Sequence, residues 1–177
     1  DFDSLEKIIK SDVALMTHLL RYMNSAAQGM RQRITSVKKA LALLGERAVR
    51  KWGALVAITA LGTGSPHELL LTSLVRARFC ELLAIKLRRE EESLDAFLTG
   101  LFSTLDVMLQ LPMEQAIGSL PVSQDVRQTL LGQHDSALGM IYGLACATER
   151  GGWASVIELG NRLFLPQQEV ASLYYQT

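Results

Sequence analysis

The stretch that most constrains this chain is Leu94–Leu111, reading LDAFLTGLFSTLDVMLQL. Leu94, Phe97, Leu98, Leu101, Phe102, Leu105, Met108 and Leu109 recur at the three- and four-residue spacing of a helix. Ala96, Thr99, Gly100, Ser103 and Thr104 between them are small or mildly polar, and only Asp95 and Asp106 carry charge. A helix apolar around most of its circumference has to be enclosed by protein. The spacing therefore predicts one central helix over this stretch, with other helices packed around it.

The rest of the chain supplies those neighbours. Leu5, Ile8 and Ile9 mark a short amphipathic helix, and Val13 to Met23 a second, behind the capping candidates Ser11 and Asp12. Met30 to Ile34 reads as a loop. Thr35 or Ser36 caps a third helix, Val37 to Leu44; Gly45 sits where glycine favours the residue after a helix, and a fourth helix starts at once with Glu46. One glycine between two periodic segments demands a tight corner. Gly62–Ser65 breaks the chain, Pro66 suits a helix start, and a long helix runs from His67 to about Arg89. Ser93 is the capping candidate for the central helix. Beyond it, Pro112, Ser123, Ser136, Gly151-Gly152 and Pro166 punctuate five shorter helices.

No alternation of β-branched and polar residues occurs, and no hairpin turn signal. The expectation is all-α: about ten helices with short connections. They divide into a smaller N-terminal helical lobe, about residues 1–62, and a larger helical core, about residues 66–177.

Composition narrows the functional classes. Of 177 residues, 49% are apolar, enough for a substantial core. Eighteen basic and eighteen acidic residues cancel, so no overall field draws the chain to nucleic acid or to an anionic membrane. The longest uncharged run, Trp52 to His67, is too short and too broken by glycine and proline to cross a bilayer. Cys80 and Cys146 lie far apart in apolar helical surroundings, as expected of reduced thiols in a cytoplasmic protein. No signal peptide opens the chain, and Asp1 in place of Met suggests an excised domain.

Catalytic motifs fail on chemistry. His18, His67 and His134 are scattered over separate elements, whereas a hydrolytic metal centre needs convergent ligands. His134-Asp135 spells an HD pair, but in a turn where Asp135 or Ser136 is better read as a helix cap. Gly62-Thr63-Gly64-Ser65 precedes a helix but has neither the lysine nor the leading strand of a phosphate loop. Ser103 has no GxSxG context and no nearby histidine. The strongest charge feature is basic: Arg31, Arg33, Lys38, Lys39, Arg47, Arg50 and Lys51, relieved by Glu46 alone. It is a candidate docking surface for an acidic protein face, a nucleotide or a nucleic acid, with the acid-rich corner Glu90–Glu92 as its counterpart. The corner at Gly45 invites comparison with DNA-binding helix pairs, but Ala48, Val49 and Trp52 on its second arm read as core.

The order of residues adds a resemblance. Ile8-Ile9-Lys10-Ser11-Asp12-Val13-Ala14-Leu15 followed by Leu19-Leu20-Arg21-Tyr22-Met23-Asn24-Ser25-Ala26 resembles the opening of the HDOD family. Ile34-Thr35-Ser36-Val37 with Ala40, Leu41, Leu44 and Gly45 continues the match, and Phe97-Leu98-Thr99-Gly100-Leu101-Phe102 falls on that family's hydrophobic-Gly run. The family is an all-helical, divergent relative of the HD metal phosphohydrolases, in which His-Asp follows this run and ligates metal. Here Ser103 and Thr104 stand at those two positions, and hydroxyls do not replace an imidazole and a carboxylate as metal ligands.

The segments Gly100–Asp106, Pro112–Glu114, Leu120–Ser123 and Glu149–Trp153 resemble the HDOD subgroup that follows EAL cyclic-di-GMP phosphodiesterase domains. The resemblance implies an HD-like helical bundle with no catalytic residues, metal or cofactor, working as a bacterial signalling domain through protein contacts. Its implied partner is an EAL domain in the same chain, with a homodimer also open and no nucleic acid or membrane involved. The alternatives are a degenerate metal-dependent phosphohydrolase, or a nucleotide sensor in the pocket left by the lost metals.

Overall fold

A computed structural model describes residues 9–10, 13–26, 34–61, 66–118 and 120–177. The short helix expected from Leu5, the loop from Met30 and the break at Gly62–Ser65 fall largely or wholly outside them. Every regular element among the described residues is helical, as the periodicity requires. Two compact units are present, Asp1–Val56 and Ala57–Thr177, and the division falls within a helix, before the Gly62–Pro66 stretch.

The N-terminal unit contains α1 (Val13–Ala26) and most of α2 (Val37–Leu61). Its core joins Ile9, Leu19, Ile34, Val37, Ala40, Leu41, Val49 and Trp52. Ser36 accepts a hydrogen bond from the Lys39 amide at 3.5 Å, which makes it the cap of α2. Midway through α2, Gly45 takes φ 73°, ψ 165° and turns the helix. No side chain would clash there, so the glycine is required by its backbone angles alone.

The C-terminal unit is built on α3 (His67–Lys86) and α4 (Ser93–Phe102). α3 ends earlier than its apolar spacing suggests. Arg88 adopts the left-handed conformation, and the Arg88 and Arg89 amides reach back to Ile85 and Ala84. A 3₁₀ turn, Glu90–Glu92, leads directly into α4. Ser93 is therefore the first helical residue and not the cap: its hydroxyl donates back to the Glu90 carbonyl at 2.7 Å.

α4 is enclosed as its composition demands, with Ala96 through Phe102 all buried. It packs along α3 and against two later helices, α7 (Gln124–Leu130) and α8 (Ala137–Glu149). The continuous helix expected to Leu111 is corrected here. Helix geometry stops at Phe102, Thr104 leaves it at φ −116°, ψ 8°, and the short α5 (Leu105–Leu109) follows, ended by left-handed Gln110. The Ser103 hydroxyl donates to the Gly100 carbonyl at 2.7 Å and tightens the last turn, while its amide reaches the same oxygen only at 3.4 Å.

α6 (Met113–Ala116) starts after Pro112. Ser123 and Ser136 cap α7 and α8 by accepting from the Val126 and Gly139 amides, so Ser136 and not Asp135 is the cap beside His134. α9 (Trp153–Arg162) and α10 (Gln167–Tyr174) close the unit. Phe79, Leu83, Val126, Ile141, Leu144, Val156 and Val170 form its core. Phe79 meets Tyr174 edge to face at 5.1 Å, and Lys86 pairs with Glu169 at 2.9 Å, both fixing α10 on α3.

Candidate functional site

The break between α4 and α5 places Ser103 and Thr104 beside α3, and a glycine makes the approach possible. A Cβ on Gly100 would lie 2.6 Å from the Ala77 nitrogen and Cα and 2.7 Å from the Arg76 carbonyl carbon. The two helix backbones touch there, and the next turn of α4 delivers Ser103 to the Arg76 side chain. Arg76 Nη1 donates to Ser103 Oγ at 2.7 Å. The hydroxyl of Thr104 hydrogen-bonds Ser73, one turn earlier on α3, and Ser73 Oγ also donates to the Leu69 carbonyl at 2.9 Å.

Arg76 is held from the other side by Glu149, at the last turn of α8. Nε and Nη2 reach Glu149 Oε2 at 2.9 and 2.6 Å, a two-pronged ion pair with both side chains only 13% exposed. Burial opposes the guanidinium charge. The Glu149 hydrogen bonds and its carboxylate charge outweigh that, so Arg76 holds its proton more tightly than an ordinary arginine. Tyr142 and Cys146, on the same face of α8, complete the cluster. Burial pushes both the phenol and the Cys146 thiol up, and Tyr142 interacts with Cys146 and Ser103. Cys80, one turn beyond Arg76 on α3, is fully buried and pushed up for the same reason. Both cysteines are free, with Cys146 half-buried.

This arrangement does not fit a divalent metal. The side chains at the critical turn are hydroxyls, and a permanent cation already occupies the space they face. Among the described residues no three His, Cys, Asp or Glu side chains converge as a metal would need. His18 is exposed on α1, His67 starts α3, and His134 stacks edge to face on Tyr142 at 5.6 Å. Chemically, the cluster can hold a helix turn in place and keep a cation dry.

The basic candidates lie in the N-terminal unit. Arg31 and Arg33 are outside the described residues. Lys38 and Lys39 are exposed on the first arm of α2, Arg47 and Arg50 on the second, and Lys51 is half-buried there. Arg50 pairs with Glu46 at 2.6 Å, both side chains well exposed. The Gly45 corner thus carries basic residues on both arms, while Val49 and Trp52 point into the core.

Arg76, Glu149, Ser73 and Tyr142 were not legible as a site from spacing. The available signal was Arg76, a charge set in the apolar row Leu74-Val75-Arg76-Ala77. A charge in such a row needs a partner.

Two curated proteins are similar to this chain. The uncharacterized protein YuxH of Bacillus subtilis is 34% identical over 158 residues, 88% of this chain and 38% of the relative. The cyclic di-GMP phosphodiesterase CdgJ of Vibrio cholerae is 32% identical over 174 residues, 96% of this chain and 40% of the relative. The chain thus spans about two fifths of the length of these relatives. No solved structure is significantly similar to it. The HDOD domain family matches residues 1–138. Both the family match and the two relatives cover most of the sequence, and the chain belongs to the HDOD domain family.

Proposed function

We propose that this chain is a non-catalytic signalling domain of bacterial cyclic-di-GMP pathways, acting through protein contacts. It regulates or reads out an EAL-type cyclic-di-GMP phosphodiesterase domain within a longer protein. The observation that carries the reading is Arg76, hydrogen-bonded to Ser103 and neutralised by Glu149 at the turn where catalytic HD relatives hold metal. A phosphodiesterase among the relatives, more than twice as long as the matched segment, supports placing any hydrolytic chemistry outside this domain. Its basic corner, Arg31, Arg33, Lys38, Lys39, Arg47, Arg50 and Lys51, is the surface we assign to the partner.

The test is elemental analysis of the purified chain after supplementation with Mn, Fe, Ni and Zn, followed by hydrolysis assays on cyclic di-GMP. The expected result is sub-stoichiometric metal and no hydrolysis. Stoichiometric metal together with turnover would overturn the reading in favour of a degenerate phosphohydrolase. With the activity question answered, charge reversal at Arg47, Arg50 and Lys51 in the full-length protein should change its phosphodiesterase rate and leave the fold of the domain intact.

A further inference from the structure

α9 and the turn behind it present an outward face that no described residue of the unit covers. Val156, Leu163 and Leu165 fix the inward side in the core. Gly160 also faces inward, since a Cβ there would lie 2.8 Å from the Leu165 carbonyl oxygen. The outward side carries Trp153 and Ile157, 54% and 47% exposed and one turn apart, and ends on Phe164, 93% exposed.

Phe164 is the telling residue. It follows the helix in the left-handed conformation, φ 55°, with its amide on the Asn161 carbonyl at 3.1 Å and the Leu165 amide on Gly160 at 2.8 Å. Glycine is the ordinary occupant of that position, and any side chain there carries a backbone penalty. At one residue, strain and an aromatic ring in water stand together, and among the described residues of the unit no contact offsets them.

Glu158 and Arg162, both exposed and one turn apart, line a neighbouring strip of the same helix, about 100° round from Ile157. That pattern complements itself. When two copies of α9 lie antiparallel about a two-fold axis beside Asn161, level with Gly160 along the helix, each Glu158 comes opposite the other copy's Arg162. The same operation sets each Ile157 opposite the other Phe164. A two-fold contact must be self-complementary, and this segment satisfies both the charge and the apolar pairing with one register. We propose that the chain forms a two-fold homodimer through the outward face of α9 and its left-handed turn, with Trp153, Ile157 and Phe164 as apolar anchors and Glu158–Arg162 as the register-setting pair.

Sedimentation equilibrium of the chain, across micromolar concentrations, tests this. The expected mass is that of a dimer. F164G removes the ring while giving the turn the residue its backbone prefers, so the fold is preserved and the dimer is lost. E158R and R162E singly should weaken self-association by at least about tenfold, because each juxtaposes like charges twice across the axis. The double variant E158R/R162E restores the pairing and should recover the dimer. A chain that stays monomeric overturns the proposal and leaves the face to another partner. A dimer unaffected by F164G, or charge variants without rescue, overturns it too.

Discussion

Arg76 and Glu149 show how a single charge is made tolerable inside a helical core. The pair bridges α3 and α8 with both side chains mostly withdrawn from water, so each partner's desolvation is offset only while the other is present. Glu149→Gln therefore leaves a buried cation under-compensated and should lower the unfolding free energy by about 3 kcal/mol, read from urea melts. Replacing both, as Arg76→Met with Glu149→Leu, should recover most of that loss, because two apolar side chains need no pairing. Ser103→Ala, which removes one hydrogen bond to Arg76, should cost about 1 kcal/mol. If the double variant were as unstable as Glu149→Gln alone, the loss would come from packing and not from charge.

Glycines separate the reasons for which these elements meet or turn. Gly100→Ala forces a methyl into the α3 backbone at Ala77, which cannot yield without parting the two helices, and should cost about 3 kcal/mol. Gly45→Ala meets no atom within 4 Å but must hold φ 73°, ψ 165°, and should cost about 2 kcal/mol from backbone strain alone. Gly53, inside the second arm of α2 with ordinary angles and open space, is the control: alanine there should stabilise by about 0.5 kcal/mol. Thermal melts of the three variants would rank them in that order, and equal losses would refute the separate causes. Gly45 was legible in the sequence because two periodic segments abut it, and the serine caps at 36, 123 and 136 follow from residue type and position. The break after Phe102 was not legible. The apolar period runs on through Leu105 and Met108, while the break coincides with the Ser103 bond to the Gly100 carbonyl and the tertiary partners of Ser103 and Thr104 on α3. Nor was the Arg76–Glu149 pair visible, since helix periodicity says which face is buried but not which distant charge meets it.

Across the whole molecule, the fully buried Cys80 and the half-buried Tyr142 and Cys146 all lie in the Ala57–Thr177 unit, and all are pushed up. Burial comes first among the causes in each case, so the folded state keeps their protons where the unfolded chain would release them. At neutral pH both states are protonated at these groups and they leave stability unchanged. Once pH passes the ordinary thiol and phenol values, about 9 and 10, the unfolded chain binds fewer protons than the folded one, and stability must fall as pH rises. Arg76 does not share this loss, because its own shift is also upward: its contribution is lost only as pH rises through the folded value, beyond the alkaline range in question. Urea midpoints should therefore be level near neutrality and decline above about pH 9. Cys80→Ala should make that decline shallower by removing one of the three groups. The charge-free Arg76→Met, Glu149→Leu variant should begin its decline at the same pH, since the onset is set by the unfolded chain. A midpoint flat to pH 11 would mean that these groups reach solvent in the folded state, and that the interface between α3 and α8 is wet where its packing says it is dry.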